Sequence, residues 1–177
     1  MRILKKLFFG LLLLVVAFVI IGMLLPREVA VERSIVIEAP ASEIYPHVSN
    51  LQATTAWSPW LGQDPETKLT FNEVEAGVGA VMEWASDNPN VGRGHMEIVE
   101  AVENQSVAVA LDFGDMGTAD ASWTFEEADG QTTATWGMVA DMGAGPIGRW
   151  MGLKMDDWVG ADYERGLQNL KTLVEGG

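Results

Sequence analysis

Hydrophobic residues along this chain follow three different rhythms, and each predicts a different element. From Leu7 to Leu25 there is no rhythm at all: 19 consecutive positions carry no charge, and nearly all are Leu, Val, Ile or Phe. As a helix at about 1.5 Å per residue this run reaches roughly 28 Å, close to the roughly 30 Å hydrocarbon thickness of a bilayer. Arg2, Lys5 and Lys6 precede it and Pro26 closes it. The positive-inside bias then keeps the N-terminus in the cytoplasm and carries the rest of the chain across the membrane. A cleaved signal peptide uses the same ingredients, and Val15-Val16-Ala17 offers a small-residue cut. That cut would leave an apolar mature start, and the run exceeds the usual signal core of about 7–15 residues. The expectation is therefore an uncleaved anchor over 1–26 and a domain over 27–177 in the periplasm or otherwise outside the cytoplasm, as in a single-pass inner-membrane protein.

From Val29 onward the rhythm is mostly period two, which predicts half-buried strands. A first strand spans 29–38 and ends at Ala39-Pro40. Ser42 is the expected N-cap of a short helix through Val48, limited by Pro46, and a second short turn spans 51–56. Six further strands are expected at 67–73, 79–86, 92–102, 106–113, 118–127 and 131–142. Their turns include Gly114-Asp115-Met116-Gly117 and Asp129-Gly130, the latter a strong two-residue hairpin signal. Alternation turns Met82, Trp84, Met96, Ile98, the odd positions from Val107 to Phe113, Trp123, Phe125, Trp136 and Met138 to one face. Glu83, Glu97, Asp112, Thr124, Thr133 and Thr135 turn to the other.

The third rhythm is helical. Over Pro146–Val174 a single long helix is expected, with Met151, Met155, Trp158, Val159, Tyr163, Leu167, Leu170, Leu173 and Val174 on about half its circumference. Asp162 and Gly166 interrupt that face. A glycine inside a helix costs about 1 kcal/mol relative to alanine, so Gly166 implies a close approach.

Charge narrows the partners. The first 26 residues hold three of the 11 basic residues and none of the 25 acidic ones, leaving 8 against 25, a net of −17, on the remainder. Such a surface repels nucleic acid, which is excluded as a partner. The carboxylates are scattered, as expected of a solvated surface. No cysteine is present. The two histidines, His47 and His95, share neither element nor spacing, so no metal site is expected. Asp112, Asp115 and Asp120 lack the spacing of a calcium loop, and no P-loop, complete Rossmann fingerprint or G-x-S-x-G occurs.

The order strand, two short helices, six strands and a long helix carries a resemblance. IEAPASEIYPHVSNLQATTAWSPW, the Gly77-Val78-Gly79 lead into the strand with Trp84, GRGHMEIVEA, and WVGADYERGLQNLKTLVE resemble the SRPBCC superfamily, the START/Bet v 1-like helix-grip proteins. The branch is that of polyketide cyclase/dehydrase and lipid transport, and the resemblance covers roughly 29–175. It implies an α+β helix-grip fold: a curved seven-stranded antiparallel sheet around the C-terminal helix, with an apolar cavity between them. It also implies a lipid or other hydrophobic small molecule as ligand and transfers no catalytic residue. No cofactor is expected.

Seven Trp and nine Met are present, side chains whose broad or adaptable apolar surfaces suit a hydrophobic pocket. The candidate ligand-binding wall is Trp57, Trp60, Met82, Trp84, Met96, Trp123, Trp136, Met138, Met155 and Trp158, with Asp162 as its polar point. Asp162 is also the one weak candidate for an acid or base; the competing expectation is a structural pairing with Arg165. Three functions remain open: membrane-anchored binding of an apolar molecule, a polyketide cyclase or dehydratase reaction in the same cavity, or an acidic interaction module with a filled core.

Overall fold

In a computed structural model, residues 2–114 and 117–176 are described; the expected turn residues Asp115 and Met116 lie outside them. Helix α1 (Arg2–Leu24) leads into β1 (Glu28–Ile37), α2 (Ala41–Ser49) and a 3-10 turn at Ala53–Ala56. The strands β2 (Lys68–Phe71), β3 (Val81–Ala85), β4 (Arg93–Val102), β5 (Ser106–Asp112), β6 (Thr118–Ala128) and β7 (Gln131–Asp141) follow, then α3 (Pro146–Gly152) and α4 (Met155–Glu175). The seven strands form one antiparallel sheet in the order β1-β7-β6-β5-β4-β3-β2. This is the α+β helix-grip architecture expected from the sequence.

Strand faces follow the alternation. Residues Ala119, Ala121, Trp123 and Phe125 of β6 are buried while the positions between them are exposed, and β7 repeats the pattern in register, Trp123 opposite Trp136. The Asp129-Gly130 turn holds both residues at positive φ (53° and 80°), as a type I′ hairpin requires. One irregularity was not read from the pattern: β4 slips register between Ile98 and Glu100. A bulge of this kind lets Ile98 and Ala101 both turn toward the core with Val99 outside.

The register gives the sheet two distinct ends. Glu28, Asp141, Thr118, Asp112, Arg93 and Lys68 mark one, which we term the near end because α1 enters there. The far end is closed by α2, whose Ile44 and Val48 join Ile37, Ile98, Val107, Phe125, Leu167 and Leu170 in the core.

Two expectations about helices are corrected. Ser42 does not cap α2. The N-cap is Pro40, and the carboxylate of Glu127 on β6 accepts the Ala41 N–H at 2.9 Å, a negative charge at the helix N-terminus. The single helix over 146–174 is two helices that break at Leu153-Lys154. Packing explains the break: a side chain added at Gly148 would strike the Met142 carbonyl, and one at Gly152 would lie 2.9 Å from Val29. Helix α3 is thereby seated on the near end of the sheet, and the chain turns before α4 runs along β1.

Candidate functional site

Under the middle of α4 the expected cavity wall has closed on itself. Phe125, Trp123, Trp136 and Tyr163 form one continuous stack, with centroid spacings of 6.2, 4.7 and 3.8 Å. Trp57 meets Trp123 and Trp136 edge-on, and Trp60 meets Trp136 and Tyr163 edge-on. Both geometries suit the aromatic quadrupole. Polar atoms are matched too: Trp57 Nε1 donates to the His47 carbonyl at 2.9 Å, and Asn169 Nδ2 donates to the Trp57 carbonyl at 3.1 Å. Gly166 permits this closure, because a Cβ there would lie 2.8 Å from the Trp136 ring and 3.1 Å from Pro59. Met82 and Met138 are also buried in the core.

A second group lies toward the near end. Trp84 packs edge-on against Phe113 at 5.8 Å, covers Gly94 on the neighbouring strand, and donates from Nε1 to the Val91 carbonyl at 3.2 Å. With Met96, Leu111, Met142 and Met155 these side chains pack on the core yet stay half-buried. The apolar interior is thus sealed at the far end and middle, and remains partly accessible at the near end.

Trp158 is corrected. Expected on the packed face of α4, it is 53 % exposed, because at about 100° per residue it lies roughly 140° around the helix from Tyr163, at the edge of the apolar arc; Met151 of α3 is 51 % exposed, because the break at Leu153-Lys154 separates it from the phase of α4. Asp162 is half-buried, and its carboxylate accepts a hydrogen bond from Arg165 one turn along α4, the structural pairing. The large group that α4 does insert is Tyr163, whose hydroxyl pKa burial pushes well above its usual value.

A pin that the pattern did not single out fixes α4 to the sheet. Arg33 of β1 donates to Asp156 at 2.9 Å and Glu164 at 2.8 Å, and its guanidinium lies directly beneath Gly160. These hydrogen bonds, Asp156 first, raise its pKa further above the usual value.

Two surface hollows are found near the β2–β4 end of the sheet. One, about 360 Å³, is lined by Asp64, Lys68, Ser86 and Arg93 among others, and the other, about 530 Å³, by Thr70, Trp84, His95 and Asp112 among others. Both are open to solvent, and the second has the more apolar lining. Among the described residues no cluster of His, Asp and Glu is arranged to hold a metal ion.

Sheet, gripped helix and apolar interior define a helix-grip protein. Residues 28–175 match the polyketide cyclase / dehydrase and lipid transport family, and the chain belongs to it. A comparison with curated proteins finds no match. Among solved structures, the chain is similar to the di-domain ARO/CYC StfQ from the steffimycin biosynthetic pathway (11 % identity, TM-score 0.63, 84 % of this chain and 51 % of that one). It is also similar to Ms6760 from Mycobacterium smegmatis (18 %, 0.55, 84 % and 92 %) and to Ara h 8.0201 (12 %, 0.54, 85 % and 99 %). At such identities the likeness is one of fold.

Leu111, Phe113 and Met142 join the near-end group without having been singled out. Alternation had already turned Leu111 and Phe113 inward, and their position at the end of β5 is the signal that marks them as rim rather than core.

Proposed function

We propose that the protein is a membrane-anchored binder of a lipid or other hydrophobic small molecule, and that the ligand docks at the near-end rim formed by Trp84, Met96, Leu111, Phe113, Met142 and Met155. Membership of the family supports hydrophobic ligand binding or cyclase-like chemistry. The observation that favours binding, and favours this location, is the uneven burial of one apolar interior. The tryptophan stack fills the middle, while the rim keeps large apolar side chains half-buried. Unsatisfied apolar surface of this kind gains free energy by covering, at about 25 cal/mol per Å².

The rim lies at the end where α1 joins the sheet. With α1 as a membrane span and the domain on the extracytoplasmic side, the rim faces the phase in which an apolar ligand concentrates, and tethering raises its effective concentration. A reaction in the same place lacks a comparable observation, since Asp162 is held by Arg165.

The test is mass spectrometry of organic extracts from the full chain purified in mild detergent. The wild type is expected to carry an apolar molecule that Leu111→Glu loses and Val102→Glu, at the far end of β4, retains, with melting curves confirming that both variants fold. Absence of any apolar molecule, or equal retention by both variants, would overturn the proposal.

A further inference from the structure

Helix α3 is built inside out for a helix in water. Its small residues, Gly148 and Gly152, face the domain against Met142 and Val29. Its large apolar residues face away: Ile147 is 67 % and Met151 51 % exposed. Outside α1, five large apolar side chains are more than half exposed among the described residues. Four of them, Ile147, Met151, Leu153 and Trp158, fall within residues 147–158. Such clustering marks a surface that is covered in use.

What covers it is indicated by α1. Trp150 stacks on Phe18 at 5.2 Å and 10°, and its Nε1 donates to the Phe18 carbonyl at 3.0 Å. Gly22 allows the approach, since a Cβ there would lie 2.7 Å from Pro146 and 2.8 Å from Trp150. Arg149 Nη1 donates to the carbonyls of Met23 (2.7 Å) and Leu25 (3.1 Å), which the end of α1 leaves without helical partners. Phe18 is six residues before Leu24, so Trp150 contacts α1 roughly 9 Å inward from its end. That is within the roughly 5–10 Å to which interfacial amphipathic helices bury their apolar faces. Residues 146–154 carry Arg149 and Lys154 and no acid, unlike the strongly acidic remainder, so anionic headgroups do not repel this segment.

We infer that α3 is an interfacial helix, seated in the outer leaflet beside α1 with Ile147 and Met151 in contact with lipid. The inference rests on the reading of α1 as a membrane span and adds a second, non-spanning contact with the same bilayer. It holds the near end of the sheet against the membrane at a fixed tilt instead of leaving the domain to swing on a stem.

The absence of cysteine makes the test direct. Full-length Ile147→Cys, Met151→Cys, Leu13→Cys and Val102→Cys variants, each with a nitroxide label, are reconstituted into phosphatidylcholine/phosphatidylglycerol vesicles. Accessibility to oxygen and to a water-soluble nickel chelate is then compared by electron paramagnetic resonance. Labels at 147 and 151 are expected to resemble the Leu13→Cys label, oxygen-rich and nickel-poor, while the label at 102 is nickel-accessible. Nickel-accessible labels at 147 and 151 beside a lipid-embedded label at 13 would overturn the inference and leave the span intact. A nickel-accessible label at 13 would overturn both.

Discussion

Gly160 and Gly166 both lie on the sheet-facing side of α4, but they are occupied from below by different kinds of neighbour. Beneath Gly160 is the guanidinium of Arg33, the end of a flexible chain; against Gly166 is the Trp136 ring, wedged between Trp123 and Tyr163. Alanine gains about 1 kcal/mol of helix propensity at either site, while overpacking a core costs about 1–3 kcal/mol. Gly166→Ala is therefore expected to destabilise the fold by up to about 2 kcal/mol in chemical denaturation, and Gly160→Ala by less, because Arg33 can move aside. Asp162 belongs to a partly exposed i,i+3 pair with Arg165, and such pairs contribute about 0–1 kcal/mol. Asp162→Asn should accordingly leave the denaturation midpoint nearly unchanged; a large loss would show that the carboxylate does more than pair.

At the scale of elements, the strands were legible because a half-buried strand writes its faces at period two, and here β5 to β7 obey it apart from Gly137, which is buried on the outer face beneath Ser122 and Glu32. The helices were less legible. Residues 146–174 read as one helix because Met151, Met155 and Trp158 fit a continuous stripe, yet a stripe does not record what covers it. Gly148 and Gly152 carried the missing information, since two glycines four apart mark a face pressed against something. Gly148→Ala would drive a methyl group into the Met142 carbonyl, and is expected to loosen α3 from the sheet. Faster amide hydrogen exchange across 146–154, with α4 unchanged, is the readout. The link between α1 and β1, residues 25–27, is tied independently: Arg27 donates to both carboxylate oxygens of Asp141 at 2.5–3.0 Å. That bond, with help from the Gly143 N–H, holds the Asp141 pKa at about 2, below its ordinary 3.8. A lowered pKa contributes stability that is present above pH 3.8 and is lost as the pH falls toward 2. The difference in melting temperature between wild type and Asp141→Asn should shrink over that interval and stay level above it.

For the whole molecule, fold and family were readable from the order of elements, whereas the site was readable only in part. Composition announced an aromatic interior, and Trp57, Trp60, Trp123 and Trp136 are indeed together, but sequence does not say whether rings that converge leave space or consume it. That depends on one centroid spacing of 3.8 Å between Trp136 and Tyr163, set by where Gly166 lets α4 descend. The same closure makes the core rigid where a ligand had been expected and moves the open apolar surface to the rim.

The strand order carries one more consequence, for synthesis. Glu28 pairs with Asp141 and Ile37 with Thr132, so the first strand to emerge has the last strand as its partner. Val31, Ile35 and Ile37 therefore wait unpaired while about a hundred residues follow. Pairings this distant close slowly and leave an apolar edge open to wrong partners in the meantime. The domain is thus expected to mature late, to depend on holding factors meanwhile, and to be most vulnerable to proteolysis before β7 arrives.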